Sequence, residues 1–160
     1  MNRQNCIFDA MYSYHLEKMF CTITGRIDRL ITFVIILSGC SVFASVSGYM
    51  WFGAIVAALS ICLVVFQFSR ASGAAEEHAR EYLTLITDEP ELTDEALLAR
   101  FKRLQASDSS TWSVLNSAAY LRSCIALGLP IPEDASELSV TEKIMSWLAG
   151  DLPRTRIAHD

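Results

Sequence analysis

Every lysine, arginine, aspartate and glutamate of this chain lies in residues 1–29 or 70–160, so the 40 residues from Leu30 to Ser69 carry no charge at all. One bilayer crossing needs about 20 apolar residues in a helix, and a block of twice that length is what two crossings require. Within it, Leu30 to Ser47 reads LITFVIILSGCSVFASVS and Met50 to Ser69 reads MWFGAIVAALSICLVVFQFS. Gly48-Tyr49 is the natural point of reversal. Tyr49, Trp51 and Phe52 beside it suit the headgroup layer, where an amphipathic ring keeps one edge wet.

The flanking charges give the expected orientation. Lys18, Arg26 and Arg29 precede the first span, Arg70 and Arg80 follow the second, and the connection has none, which places both termini in the cytoplasm. Arg26, Arg29 and Arg70 are the expected interfacial anchors. A cleaved signal peptide would have its apolar stretch near the N-terminus, whereas 29 polar-rich residues come first and a second apolar stretch follows directly. A soluble buried hairpin is the remaining alternative, and the other 120 residues could hardly cover two apolar helices on all sides.

Small and polar residues in the spans fall on helical faces. Ser38, Ser41, Ser45 and Gly48 line one side of the first helix, and Gly53, Ala57, Ser60, Val64 and Gln67 line one side of the second. Such faces let helices approach closely and bond through hydroxyls, or else line a hydrated path after oligomerisation. With no ionisable residue on either face, close packing is the favoured expectation.

The organisation expected from these patterns is an N-terminal amphipathic helix over 1–29, a transmembrane hairpin over 30–69 (spans about 30–47 and 50–69), a helical region over 70–130, and a short helix and tail over 131–160. Ile7, Phe8, Met11, Tyr12, His15, Met19, Ile23 and Ile27 form the apolar stripe of the first helix, with Asp9, Glu17, Lys18 and Arg26 among its polar positions. Ala71, Ala75, His78, Tyr82 and Ile86 form a matching stripe after the second span, so that His15, His78 and Tyr82 are expected where the two helices pack. A role for the two histidines in sensing pH is the lesser alternative. Pro90 within Asp88-Glu89-Pro90-Glu91 should end that helix. Thr93 should cap the next, Asp108-Ser109-Ser110 should start another that closes at Gly128, and Ser139 with Glu142 forms a capping box for the last. No strand pattern appears. The fold class is therefore an all-α membrane protein with a two-span transmembrane helical hairpin.

Chemistry is not evident. The three histidines are far apart, no nucleotide-binding or nucleophile-elbow motif occurs, and the five cysteines form no C-x-x-C pair. Neither an enzyme nor a cofactor or metal site is expected. A net charge of −5 gives no broad footprint for nucleic acid.

The succession of helix, two spans, long helix, acidic break and two further helices resembles the SLATT family (SMODS and SLOG-associating two-transmembrane effector domain). The residues that carry the likeness are Tyr14-His15, Arg26, Arg29, Ile36-Leu37-Ser38-Gly39, Ala74-Ala75-x-x-His78, Tyr82-Leu83, Leu85 and Ala126-Leu127-Gly128. It covers roughly residues 10 to 130, and the last 30 lie outside it. The resemblance implies a bacterial inner-membrane effector of nucleotide-signalled antiviral defence, pore-forming or membrane-disrupting, with the bilayer, further copies of itself and a nucleotide or protein trigger as partners. A pore would need several subunits, because two helices cannot enclose water. The competing class is a membrane-anchored scaffold or inhibitor that recruits a cytoplasmic partner through its C-terminal helices.

Overall fold

The computed structural model describes residues 2–41, 49–131 and 138–153, and among these every regular element is helical. α1 (Arg3–Ser41) is one helix of 39 residues, about 58 Å long. The first half of α1 is the axis of a helical body, and the rest carries the apolar sequence from Leu30 onward without a break. α2 (Tyr49–Phe66) returns along it. α3 (Phe68–Asp88) then continues beside the body half of α1, followed by α4 (Asp94–Gln105), α5 (Asn116–Leu127) and α6 (Val140–Leu148), with short 3-10 turns at Glu89–Glu91 and Ser113–Leu115.

Local chemistry sets most boundaries as expected. Pro90 stops α3 and opens the first 3-10 turn. Thr93 caps α4 by accepting from the Ala96 N–H, and Asp94 and Glu95 sit in its first turn against the helix dipole. Gly128, at φ +65°, ends α5 in a Schellman motif: the Leu129 N–H reaches the Cys124 carbonyl and the Gly128 N–H reaches that of Ile125. Gly150, at φ +74°, repeats the arrangement after α6, with the Asp151 N–H on the Ser146 carbonyl. The capping box of α6 is complete: the Glu142 N–H donates to Ser139 Oγ at 3.3 Å and the Ser139 N–H donates to Glu142 Oε2 at 2.7 Å.

Two boundaries differ from the sequence reading. Asp108-Ser109-Ser110 starts no helix. The Tyr82 hydroxyl donates to Asp108 and the Ser109 N–H donates to Glu17, so both groups are taken by distant partners and α5 begins only at Asn116. The second expected span, 50–69, is shortened because α2 stops at Phe66. Gln67 takes a left-handed conformation (φ 46°, ψ 44°), rare for a residue with a Cβ. Its amide still bonds the Leu63 carbonyl and its own carbonyl accepts from Ala71, so the chain bends between α2 and α3 with few backbone bonds lost. Ser45 and Gly48, with the rest of 42–48, lie outside the described residues, as does the tail from 154 onward.

The core has two parts. Met19, Phe20 and Ile23 of α1 meet Ala75, Leu115, Ala118, Ala119, Leu121, Leu138 and Ala149. Farther toward the N-terminus of α1, Cys6 and Ala10 meet Tyr82, Leu85, Leu97 and Phe101. Because α3, α4 and α5 surround α1, its buried surface exceeds one stripe: Cys6, Ala10, Phe20 and Thr24 are buried outside the expected positions, while Ile7, Phe8, Met11 and Tyr12 are only half-buried. Gly25 permits the close crossing of α1 and α3, since a Cβ there would stand 3.0 Å from Ser72 Oγ. That hydroxyl donates to the Cys21 carbonyl at 2.9 Å. Cys6 and Cys124 are buried free thiols.

Candidate functional site

Two regions hold residues that core packing alone does not explain. The first is the apolar arm. The helical run from Trp51 to Glu91 contains a window long and apolar enough to cross a membrane, with mean hydropathy 2.2, and none of that window is buried within the chain. Trp51 is 78% exposed, Val64 73% and Val65 65%. On α1, Leu30, Phe33, Ile36 and Leu37 are likewise exposed. So large an uncharged surface is left open to lipid or to other chains.

The half-buried positions mark where α1 and α2 face each other. On α1 these are Ile31, Val34, Ile35 and Ser38; on α2 they are Val56, Leu59, Ser60, Cys62 and Leu63. The α1 set and Val56, Leu59, Ser60 and Leu63 step by 3, 1 and 3, the narrow seam of two antiparallel helices, and Cys62 lies at its flank. Of the expected small-residue faces, Ser38 and Ser60 join this seam. Gly53, Ala57, Val64 and Gln67 point away from it, and no atom lies within 4 Å of a Cβ built on Gly53. Packing within the chain therefore relies on branched side chains, and the Gly53–Ala57–Val64–Gln67 face remains open. Ser41 is the last residue of α1 and Tyr49 the first of α2. Arg29 and Arg70 are exposed at the two junctions with the body, and Arg70 Nη1 donates to Gln67 Oε1 at 3.3 Å.

The second region is polar and runs from the buried Glu17 and His15 of α1 to the exposed Asp108. Of the three residues expected between α1 and α3, Tyr82 packs on Cys6 and Ala10 of α1 and His78 stands near Glu17, whereas His15 faces Asp151 and the α5 residue Arg122 instead of α3. Glu17 is 2% exposed, with Oε1 accepting from the Ser109 N–H at 2.9 Å and Oε2 without a hydrogen-bond partner among the described residues. The fully buried Tyr82 donates to Asp108 Oδ1 at 2.6 Å, and His78 is close enough for its charge to act on both carboxyls. On another side of α1, His15 Nδ1 stands 3.9 Å from Asp151 Oδ2, and Asp151 also pairs with Arg122 of α5. Loss of hydration is the first cause of each titration shift. It raises Glu17, Asp108 and Tyr82 above their ordinary values and lowers His15, with Asp151 opposing the last. Among the described residues no three His, Cys, Asp or Glu side chains are grouped to hold a metal ion.

Comparison with family models, with curated proteins and with solved structures finds no match to this chain.

Sequence reasoning placed Glu17 among the polar positions of α1, read Asp108 only as part of a helix start, and missed Arg122 and Asp151. For Glu17 the sequence carries no signal: with Lys18 beside it, it reads as an ordinary charged step between Leu16 and Met19-Phe20. A carboxyl whose pKa is higher folded than unfolded binds its proton more tightly in the folded state. Its contribution to stability is full below the unfolded value of about 4.3 and is lost as pH rises through the raised one. Glutamine at position 17 would keep the acceptor for Ser109 without a buried charge. Glu17→Gln is therefore expected to stabilise the body by about 1 kcal/mol at pH 7, and the gain should vanish near pH 4. Thermal melts of both proteins across that range check this. A Glu17→Gln variant less stable at pH 7 would instead show that the carboxylate is needed.

Proposed function

We propose that this chain is an oligomeric membrane effector of the SLATT kind: α2 and the apolar end of α1 cross the inner membrane as a hairpin, both termini stay in the cytoplasm, and a nucleotide or protein signal received by the body turns the assembly into a pore or a lipid-disrupting array. The observation that carries this reading is the uncovered, charge-free α2 joined directly to a well-packed polar body. One uncharged helix against one other leaves most of its surface to lipid or to further copies. The open Gly53–Ala57–Val64–Gln67 face offers small residues for helix association and a single amide for contact with water. Several subunits around an axis are needed before such faces can enclose a path.

Inducible expression in cells loaded with a membrane-potential dye tests the proposal. Depolarisation and growth arrest are expected with the native chain, and both should be lost when the hairpin is replaced by an unrelated two-span anchor. Polarised, growing cells that hold abundant membrane-inserted protein, also during phage infection that would supply the signal, would refute an effector, as would full activity retained on the foreign anchor.

A further inference from the structure

α6 is a short amphipathic helix whose outward side is apolar. Val140, Ile144 and Trp147 follow one another at helical spacing and are 73%, 53% and 67% exposed, with Leu148 beside them. Its inward side is the buried Ser146 and the half-buried Glu142 and Met145, so the exposed stripe is a surplus that the body does not use.

The position of this stripe decides what can cover it. The Arg26 side chain of α1 donates to the Leu148 carbonyl, and its guanidinium lies against Gly150, where an added Cβ would be 3.1 Å away. Arg26 precedes Leu30, the first residue of the charge-free block, by one helical turn, about 6 Å along the axis. Each headgroup layer of a bilayer is about 5 to 7 Å deep. With α1 entering the hydrocarbon at Leu30, the C-terminal end of α6 is held at headgroup level by a bond to the helix that enters. Between α6 and α1 runs a groove of about 640 Å³ lined by Arg26, Arg122, Trp147 and Asp151. A smaller recess next to it adds Lys18. Among the described residues the two linings hold three cations and one carboxylate, Asp151, which already pairs with Arg122; the remaining positive charge, with Gly150 keeping the floor low, favours an anion. An aromatic ring and aliphatic side chains at the rim favour one attached to acyl chains.

We propose that α6 docks on the surface of an anionic bilayer, with its Val140–Ile144–Trp147–Leu148 stripe among the headgroups and acyl ends and a lipid phosphate at Arg26, at the membrane-side mouth of the groove. The inference rests on the membrane-crossing hairpin of the preceding section. Its consequence is that the body lies against the membrane through a second contact and does not hang from the hairpin alone.

The full chain is reconstituted in vesicles of phosphatidylcholine, with or without phosphatidylglycerol, carrying a quencher near the headgroup or deep in the acyl region. One variant keeps only Trp147 (Trp51→Phe, Trp112→Phe) and a second keeps only Trp51. Trp147 is expected to be blue-shifted and quenched by the shallow probe in phosphatidylglycerol vesicles, several-fold more than in phosphatidylcholine alone. Val140→Ser with Ile144→Ser should reduce that quenching at least by half, and these exposed positions leave the core intact. Quenched Trp51 with water-exposed Trp147 would overturn the docking while leaving the hairpin in place. Both tryptophans unquenched would overturn the hairpin and the docking with it. Trp147 shielded in proportion to protein density, with no dependence on phosphatidylglycerol, would also overturn the proposal by making the cover a second copy of the chain.

Discussion

Replacing Tyr82 by alanine is expected to remove about 3 to 5 kcal/mol from the stability of the helical body, the range for truncating a buried aromatic ring. Tyr82 is 0% exposed, packs with Cys6, Ala10, Leu85 and Leu97, and has its ring centroid 6.2 Å from that of Phe101. Its loss leaves a cavity where α1, α3 and α4 meet. The hydroxyl is a second, separable contribution, because it fastens the segment after α4 through Asp108. Tyr82→Phe keeps the ring and gives up that bond, at about 1 kcal/mol. In a domain stable by about 5 to 15 kcal/mol, the alanine variant should melt more than about 10 °C below the native chain, with phenylalanine close behind native. Thermal unfolding of the full chain in detergent, followed by near-ultraviolet circular dichroism, reads both. Equal melting points for Tyr82→Ala and Tyr82→Phe would mean that the ring is not a packing element.

An arginine at the middle of α2 is expected to expel that helix from the membrane. The nine Phe, Ile, Val and Leu side chains of α2 contribute about −3 to −5 kcal/mol on an insertion scale. One central arginine costs about 2.5 to 3.5 kcal/mol, which cancels most of that gain and shifts insertion by roughly 100-fold. Ala57 and Ile55 are both exposed and lie on different sides of the helix. Ala57→Arg and Ile55→Arg should each leave α1 as the one crossing and so put the C-terminus on the opposite side of the membrane from the N-terminus, read by protease access to a C-terminal tag in sealed vesicles, while Ala57→Leu should keep both termini on one side. An unchanged C-terminus for Ala57→Arg alone would identify a hydrated face at Gly53–Ala57. An unchanged C-terminus for both would mean that α2 does not lie in lipid.

The contrast between these two experiments follows how each region is encoded. The arm is specified by what its residues lack. With no charge between Leu30 and Ser69, any helix formed there is apolar on all sides, so its need for cover is set before any contact is made. Helix ends are encoded almost as directly. Thr93, Ser139 with Glu142, Gly128 and Gly150 act on groups within a few residues of themselves, and each does in the structure what its local chemistry predicts.

Contacts across the chain escape such reading. Glu17 looks like a solvated residue because its neighbours on α1 allow a polar side, but α3 and the segment after α4 close over it and the Ser109 amide supplies the only hydrogen bond it has among the described residues. Asp108 looks like a helix cap until Tyr82, 26 residues earlier, takes its carboxylate. The seam between α1 and α2 falls on branched side chains because the two helix axes fix which residues meet, and periodicity alone leaves the rotation of each helix free. Gln67 gives no warning of a bend; its left-handed backbone is imposed by joining α2, which follows the apolar end of α1, to α3, which follows the body.

The sequence by itself thus determined that the chain is helical, where most of its helices end, and that 40 consecutive residues carry no charge. Only the tertiary structure decided which side of α1 is buried, which carboxyls lose their hydration, and that the end of α6 is tied by Arg26 to the helix that leads into the apolar block. The physical reason is range: charge, apolarity and capping act within a turn or two of chain, whereas burial and pairing depend on where the other helices come to rest.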